Sequence, residues 1–164
     1  YGKIIGGGMP VGAYGGRRDI MEVVSPVGQV YQAGTLSGNP VAMAAGLAQL
    51  TILNSDPMYY EKLNEKGDWF FEELQKIVKN AGLPYQVNHI GSLGSLFFTD
   101  QEVVDYESAK TSDTKAYAAY CNYMLNHGIY LAPAQFEAMF ISMAHTSAQL
   151  EETLEVAADY FLSR

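Results

Sequence analysis

Cysteine is nearly absent. Cys121 is the single one among 164 residues, which excludes an internal disulfide and any metal cage built from cysteine pairs. Histidine is scarce as well, and His89, His127 and His145 lie far apart without ligand spacing, so no metal site is expected. No apolar run approaches the roughly 20 residues that a membrane-crossing helix needs. The N-terminal stretch also lacks the basic, apolar and small-residue succession of a signal peptide. Basic side chains are outnumbered, with 10 Lys and Arg against 18 Asp and Glu and a net charge of −8. That balance argues against nucleic acid as a partner. Together these shortages describe a soluble, cytoplasmic chain that binds no metal and no membrane.

What is present suits a folded domain: 48 % hydrophobic and 17 % charged residues are ordinary values for a globular protein. The texture changes near residues 54–57, which suggests a division into 1–55 and 56–164. The first part is rich in glycine, seven of its first sixteen residues, and carries few charges. Short strands are expected at Lys3–Ile5 and Val11–Tyr14, and a short helix at Asp19–Val24. A further helix over about 40–53 is expected, with Asn39 as its cap and Pro40 in its first position, where a missing donor does no harm.

The second part alternates helices and strands. Asp56 and Pro57 start a helix running to about Asn80, with Tyr60, Leu63, Phe70, Leu74, Ile77 and Val78 on one apolar stripe. YQVNHI and SLFFT read as strands bounded by Gly91 and Gly94. Ser112 or Asp113 caps a helix to about His127, and Gly128 suits the left-handed residue just past its end. IYLA and MFISMA are short candidate strands. Thr146 and Gln149 form a capping box for a last helix whose inner face is Leu150, Leu154, Ala157 and Phe161.

The first chemical candidate is Lys3, directly before the glycines of YGKIIGGGMPVGAYGG. An amine that attacks an aldehyde must be neutral and held still, and burial among apolar groups lowers a lysine pKa. Ile4 and Ile5 are expected to supply such surroundings. By itself, a lysine beside a loop is usually a solvated charge. The glycine run has neither the closing Lys-Ser/Thr pair of a phosphate-binding loop nor GxGxxG spacing, so a structural turn is its default reading. The second candidate is Gly34-Thr35-Leu36-Ser37-Gly38-Asn39-Pro40. A hydroxyl beside the unpaired N–H groups of a helix start favours an anion, with a plain capped loop as the alternative. Tyr31 and Gln32 adjoin it, and core packing is the commoner fate of such a tyrosine.

The two candidates occur in order, and together they carry a resemblance. Lys3 followed by IIGGGMPVGAYGG, then YQAGTLSGNPVAMAAG about thirty residues on, resembles the second half of the class III pyridoxal-phosphate aminotransferases, above all their aminomutase branch. SLGSLFFTD, the SDT helix start, GIYLAPAQFEAMFIS and AHT extend the likeness over nearly the whole chain. It implies an α/β protein, the C-terminal part of the fold type I transferase fold without most of the large domain. Residues 1–55 would be a remnant of the large cofactor-binding domain, and 56–164 the small α/β domain. The implied cofactor is pyridoxal 5′-phosphate, alternating with pyridoxamine 5′-phosphate. Lys3 falls where the family's lysine forms a Schiff base with the cofactor and shuttles protons. Gly34 and Thr35 fall where a dimer partner reaches the cofactor phosphate, which implies a homodimer with a shared active site. Glu137, in QFEA, matches a carboxylate near the substrate pocket, with a helix cap or salt bridge as its structural alternative.

The reaction so implied moves an amino group within one five-carbon small molecule, from glutamate-1-semialdehyde to 5-aminolevulinate, a tetrapyrrole precursor. The family also contains ω- and amino-acid aminotransferases, which commonly grip an α-carboxylate with an arginine of the C-terminal domain. Between Gly128 and Leu162 this chain has no arginine or lysine, and after Arg18 its only arginine is Arg164. A substrate with an aldehyde at C1 needs no such grip, so the absence favours the mutase. Leu36 departs in the same direction from the aromatic residue that aminotransferases often have there. A stand-alone interaction module is the reading of another class. The family's ring-stacking aromatic, its acidic partner for the pyridine nitrogen and its serine-rich phosphate loop all precede the lysine. The chain is therefore expected to be a C-terminal fragment, inactive alone.

Overall fold

The computed structural model describes residues 1–162; Arg164, noted above, lies outside the described residues. The chain divides into two compact units, Tyr1–Tyr59 and Tyr60 onward.

In the first unit glycine decides the local structure. Where a strand was expected at Lys3–Ile5, a 3-10 turn spans Lys3–Gly6 and ends on Gly7 at φ 56°. Val11–Tyr14 forms no strand either: a single bridge joins Gly2 to Gly12, beside which Ala13 N–H donates to the Tyr1 carbonyl at 2.8 Å. Apolar runs this short, flanked by residues with no side chain to pack, cannot hold a ladder. Helix α1, Arg18–Met21, is shorter than expected, and Val24 bridges Val30 instead. Helix α2, Pro40–Leu53, has the expected bounds, and the Asn39 side chain accepts from the N–H groups of Val41 and Ala42, both at 3.1 Å. Gly46 of α2 lies against the turn of Lys3: a Cβ there would stand 2.5 Å from the Ile5 carbonyl oxygen, and one on Gly7 would stand 2.6 Å from that of Ala45. Helix and turn thus meet backbone to backbone, an approach only glycine permits.

Helix α3, Tyr59–Asn80, begins just past Asp56, whose carboxylate accepts the Met58 N–H at 2.9 Å. It buries Gly67, Phe70, Phe71, Leu74 and Val78. Tyr60, expected on the same stripe, is 56 % exposed, because it precedes by about two turns the point where α3 meets the sheet. That sheet is antiparallel, in the order β1-β2-β3. β1 (Gln86–Ile90) and β2 (Leu93–Phe97) form a hairpin with Gln86 opposite Phe97 and Ile90 opposite Leu93. β2 starts earlier than SLFFT suggests, so Gly94 lies inside the strand. There the ring of Phe71 takes the place of a side chain, 2.6 Å from where a Cβ would be. β3 is only Met139–Phe140, and IYLA forms no strand.

A one-turn helix α4, Tyr106–Ala109, was not expected; Asp105 and Ser108 close a capping box around it. Helix α5, Thr114–Asn126, is capped by Asp113, which accepts from Lys115 and Ala116 N–H at 2.9 Å, and Gly128 beyond it has φ 83°. Helix α6, Ser147–Leu162, has the expected box: Gln149 accepts from Thr146 N–H at 2.9 Å, and Thr146 from Gln149 N–H at 3.3 Å. Leu150, Leu154, Ala157 and Phe161 are buried. The core of this unit is aromatic at its centre, with Tyr85 stacked on Phe98 at 4.2 Å and Tyr120 on Phe161 at 5.1 Å. Among the described residues no helix is long and apolar enough to cross a membrane.

Candidate active site

Lys3 sits on the glycine turn in a left-handed backbone conformation, φ 54°, which residues with a side chain rarely adopt. The surroundings differ from those expected. Lys3 is exposed, Ile4 is 61 % exposed and only Ile5 is half-buried, so the two isoleucines do not enclose the amine. The reason is the tight turn, which swings Ile4 outward where a strand would have laid it down. Among the described residues the amine makes no hydrogen bond or ion pair.

Gly34 and Thr35 lie in a turn closed by Ser37 N–H donating to the Gly34 carbonyl at 2.9 Å and Asn39 N–H donating to that of Leu36 at 3.0 Å. A side chain at Gly34 would stand 2.9 Å from Ser37 Oγ, and Gly38 has φ 74°. Both candidate segments are therefore fixed to α2, the anion turn at its N-terminus and the lysine turn at Gly46, about 10 Å along the axis at 1.5 Å per residue. Tyr31 is 83 % exposed and is no core residue, since the turns around it bring no apolar surface over its ring.

In the second unit, Glu137 is exposed on a turn where its own N–H donates to the Ala134 carbonyl at 3.1 Å. It caps no helix and forms no salt bridge among the described residues. The segment that bears it is held by Tyr117, whose hydroxyl donates to the Ala132 carbonyl at 2.8 Å. Burial, then the neighbouring Cys121 thiol, push the Tyr117 phenol far above its usual range, so it stays a donor. Sequence reasoning missed Gln135, a buried residue of the same QFEA motif that holds the segment from its other side; the only signal was its place in that motif. The histidines are engaged separately, His89 with Asp68 at 3.2 Å and His145 Nδ1 with Ser142 N–H at 3.0 Å. Among the described residues no group of three His, Cys, Asp or Glu is placed to hold a metal.

Along the chain, the lysine on its glycine turn and the capped turn ahead of α2 precede the sheet-and-helix unit. The family model for class-III aminotransferases matches residues 1–160, and the chain belongs to that family. Solved structures agree on the fold. A β-phenylalanine aminotransferase from Variovorax paradoxus aligns with a TM-score of 0.86 at 32 % identity, over 97 % of this chain and 36 % of that one. An omega-transaminase from Sphaerobacter thermophilus aligns at 0.82 and 28 %, over 99 % and 37 %.

In sequence the likeness is to a particular branch. Glutamate-1-semialdehyde 2,1-aminomutase 1 of Lachnoclostridium phytofermentans is 65 % identical over 155 residues, 94 % of this chain and 36 % of that protein. The aminomutase of Alkaliphilus oremlandii is 60 % identical over 154 residues, 94 % of this chain and 35 % of its own length. The chain thus spans little more than a third of the curated relatives it matches.

Proposed function

We propose that this chain is the lysine-bearing third of a pyridoxal-phosphate-dependent aminomutase that converts glutamate-1-semialdehyde to 5-aminolevulinate in tetrapyrrole synthesis. The observation that carries this reading is the 65 % identity to an aminomutase across nearly the whole chain, twice the 32 % shared with an aminotransferase of closely similar structure. The lack of lysine and arginine between Gly128 and Leu162 supports it, because an α-carboxylate calls for a cation that a terminal aldehyde does not.

The residues present fit a phosphate-bearing aldehyde cofactor. Lys3 offers an unengaged amine, and the Gly34–Ser37 turn, where a Cβ on Gly34 would crowd the Ser37 hydroxyl, carries the Thr35 hydroxyl a few residues ahead of a 14-residue helix. Held by Lys3 of one chain and the Gly34–Ser37 turn of the other, pyridoxal phosphate would supply the electron sink for the amino-group transfer. Lys3 Nζ holds the cofactor and moves the proton between neighbouring carbons, the work of a positioned general base. Thr35 Oγ1 and Gly34 N–H donate to the phosphate, where the dipole of α2 also favours negative charge. Glu137 is assigned to the substrate pocket on the family resemblance. The working form is a cytoplasmic homodimer in which Gly34 and Thr35 serve the partner's cofactor.

The test uses the protein that contains this chain, given glutamate-1-semialdehyde with and without an added amino donor. Formation of 5-aminolevulinate without a donor is expected; strict dependence on a donor makes it an aminotransferase. Lys3→Ala is expected to lower turnover by about 10²–10⁴-fold and to abolish trapping of the cofactor by borohydride. Residues 1–164 alone are expected to hold no stoichiometric cofactor, as read by absorbance.

A further inference from the structure

Strand β2 has two kinds of neighbour. Leu93 and Gly94 pair with Phe140 and Met139 of β3, and among the described residues no third strand continues beyond those two pairs. Instead the side chain of Gln135 behaves as a peptide group. Its Oε1 accepts the Phe98 N–H at 3.1 Å and its Nε2 donates to the Leu96 carbonyl at 2.7 Å. These two backbone groups flank Phe97 and would otherwise need a strand partner. Gln135 is 3 % exposed, so the pairing is made away from water, where an unmade hydrogen bond costs most.

Because a side chain satisfies the strand, the backbone around it is released from the sheet. It leaves as the turn closed by Glu137 N–H and the Ala134 carbonyl, with Phe136 and Glu137 exposed. Tyr117 pins the entry to this turn at the Ala132 carbonyl, and Gln135 pins its middle. At its other end β3 stops because β2 begins at Leu93, and Ile141 N–H donates instead to the Ser92 carbonyl at 2.8 Å.

We infer that Gln135 is a positioning residue, a surrogate strand that holds the Glu137 turn out from the sheet in a fixed place. The inference rests on the proposed role of Glu137. It predicts that the two residues act as one unit although they share no hydrogen bond.

The experiment is a double-mutant cycle in the holoenzyme containing this chain, with Gln135→Met, Glu137→Gln and both together. Gln135→Met removes both hydrogen bonds at similar length. Expected are faster amide exchange at Phe98, an unchanged absorbance of bound cofactor, a KM for glutamate-1-semialdehyde raised about tenfold, and a double variant no worse than Glu137→Gln alone. Additive effects, or an unchanged KM despite faster exchange at Phe98, overturn the inference. So does a Glu137→Gln enzyme with unaltered kinetics, while donor-free 5-aminolevulinate formation by the same preparation would leave the proposed reaction standing. If Gln135→Met does not fold, Gln135→Glu carries the same cycle. It keeps the acceptor for Phe98 N–H and regains the donor to Leu96 only when protonated, so its KM defect is expected to shrink as pH falls. A pH-independent defect overturns the inference.

Discussion

Each unit brings a long helix onto a peptide backbone at a glycine. In the first, Gly46 of α2 meets the Ile5 carbonyl; in the second, Gly67 of α3 meets the turn at Gly91 and Ser92. The surroundings differ sharply. Around Gly67 lie Phe70, Phe71 and Leu74, all buried in one continuous core. Along α2, Val41, Leu47 and Ile52 are each more than 60 % exposed, although a helix apolar on every side normally belongs in an interior. Backbone contact through glycine is thus a local device that survives with or without a core around it. Burial of side chains needs surfaces from several elements, and residues 1–59 by themselves supply too few.

The largest test of this contrast is Phe71→Ala, which removes a fully buried ring and is expected to cost about 3–5 kcal/mol. Leu47→Ala, at a 69 % exposed position, is expected to cost less than about 0.5 kcal/mol. Urea titration of both variants reads the difference, and equal losses would break the comparison. Gly67→Ala comes next at about 1–3 kcal/mol, since the added Cβ meets backbone, with Ser92 Cα at 2.5 Å. Gly46→Ala should cost less, because the exposed turn of Lys3 can shift and alanine returns about 1 kcal/mol of helix propensity. Finding Gly46→Ala the costlier would show unit 1 to be the more rigid.

Helix caps should behave alike in the two units, which sharpens the distinction between local and tertiary effects. Asn39→Ala and Asp113→Ala are each expected to cost about 1 kcal/mol, seen as faster amide exchange in the first turns of α2 and α5. The smallest effect is on pH. The Ser108 backbone N–H, then its hydroxyl, hold the exposed Asp105 carboxyl below its usual value of 3.8. A lowered folded-state pKa stabilises the chain above that value and ceases to do so as pH falls through the folded-state pKa. Asp105→Asn should remove this acid-side dependence, and an NMR titration of Asp105 checks the direction.

The family was legible as motif, and the match over residues 1–160 bears that resemblance out; the roles of Lys3, Gly34, Thr35 and Glu137 stay with the proposal. The attachment of the lysine turn to α2 was not legible. It depends on Gly46 meeting Ile5, two residues far apart in the chain with no pattern linking them. Nor did composition reveal that Ile4 would turn outward, since the same apolar letters serve a strand or a tight turn.

By itself the sequence determined what is settled within about four residues. The caps at Asn39, Asp113 and Thr146, the left-handed Gly128 and the inner face of α6 all follow from neighbours in the chain, because capping and helical spacing are short-range. Tertiary structure alone decided that Gly94 lies inside β2 under the ring of Phe71. It also decided that Gln135 replaces a strand beside Leu96 and Phe98. Both depend on partners more than twenty residues away, and hydrogen bonding and close packing there answer to geometry in space rather than to spacing along the chain.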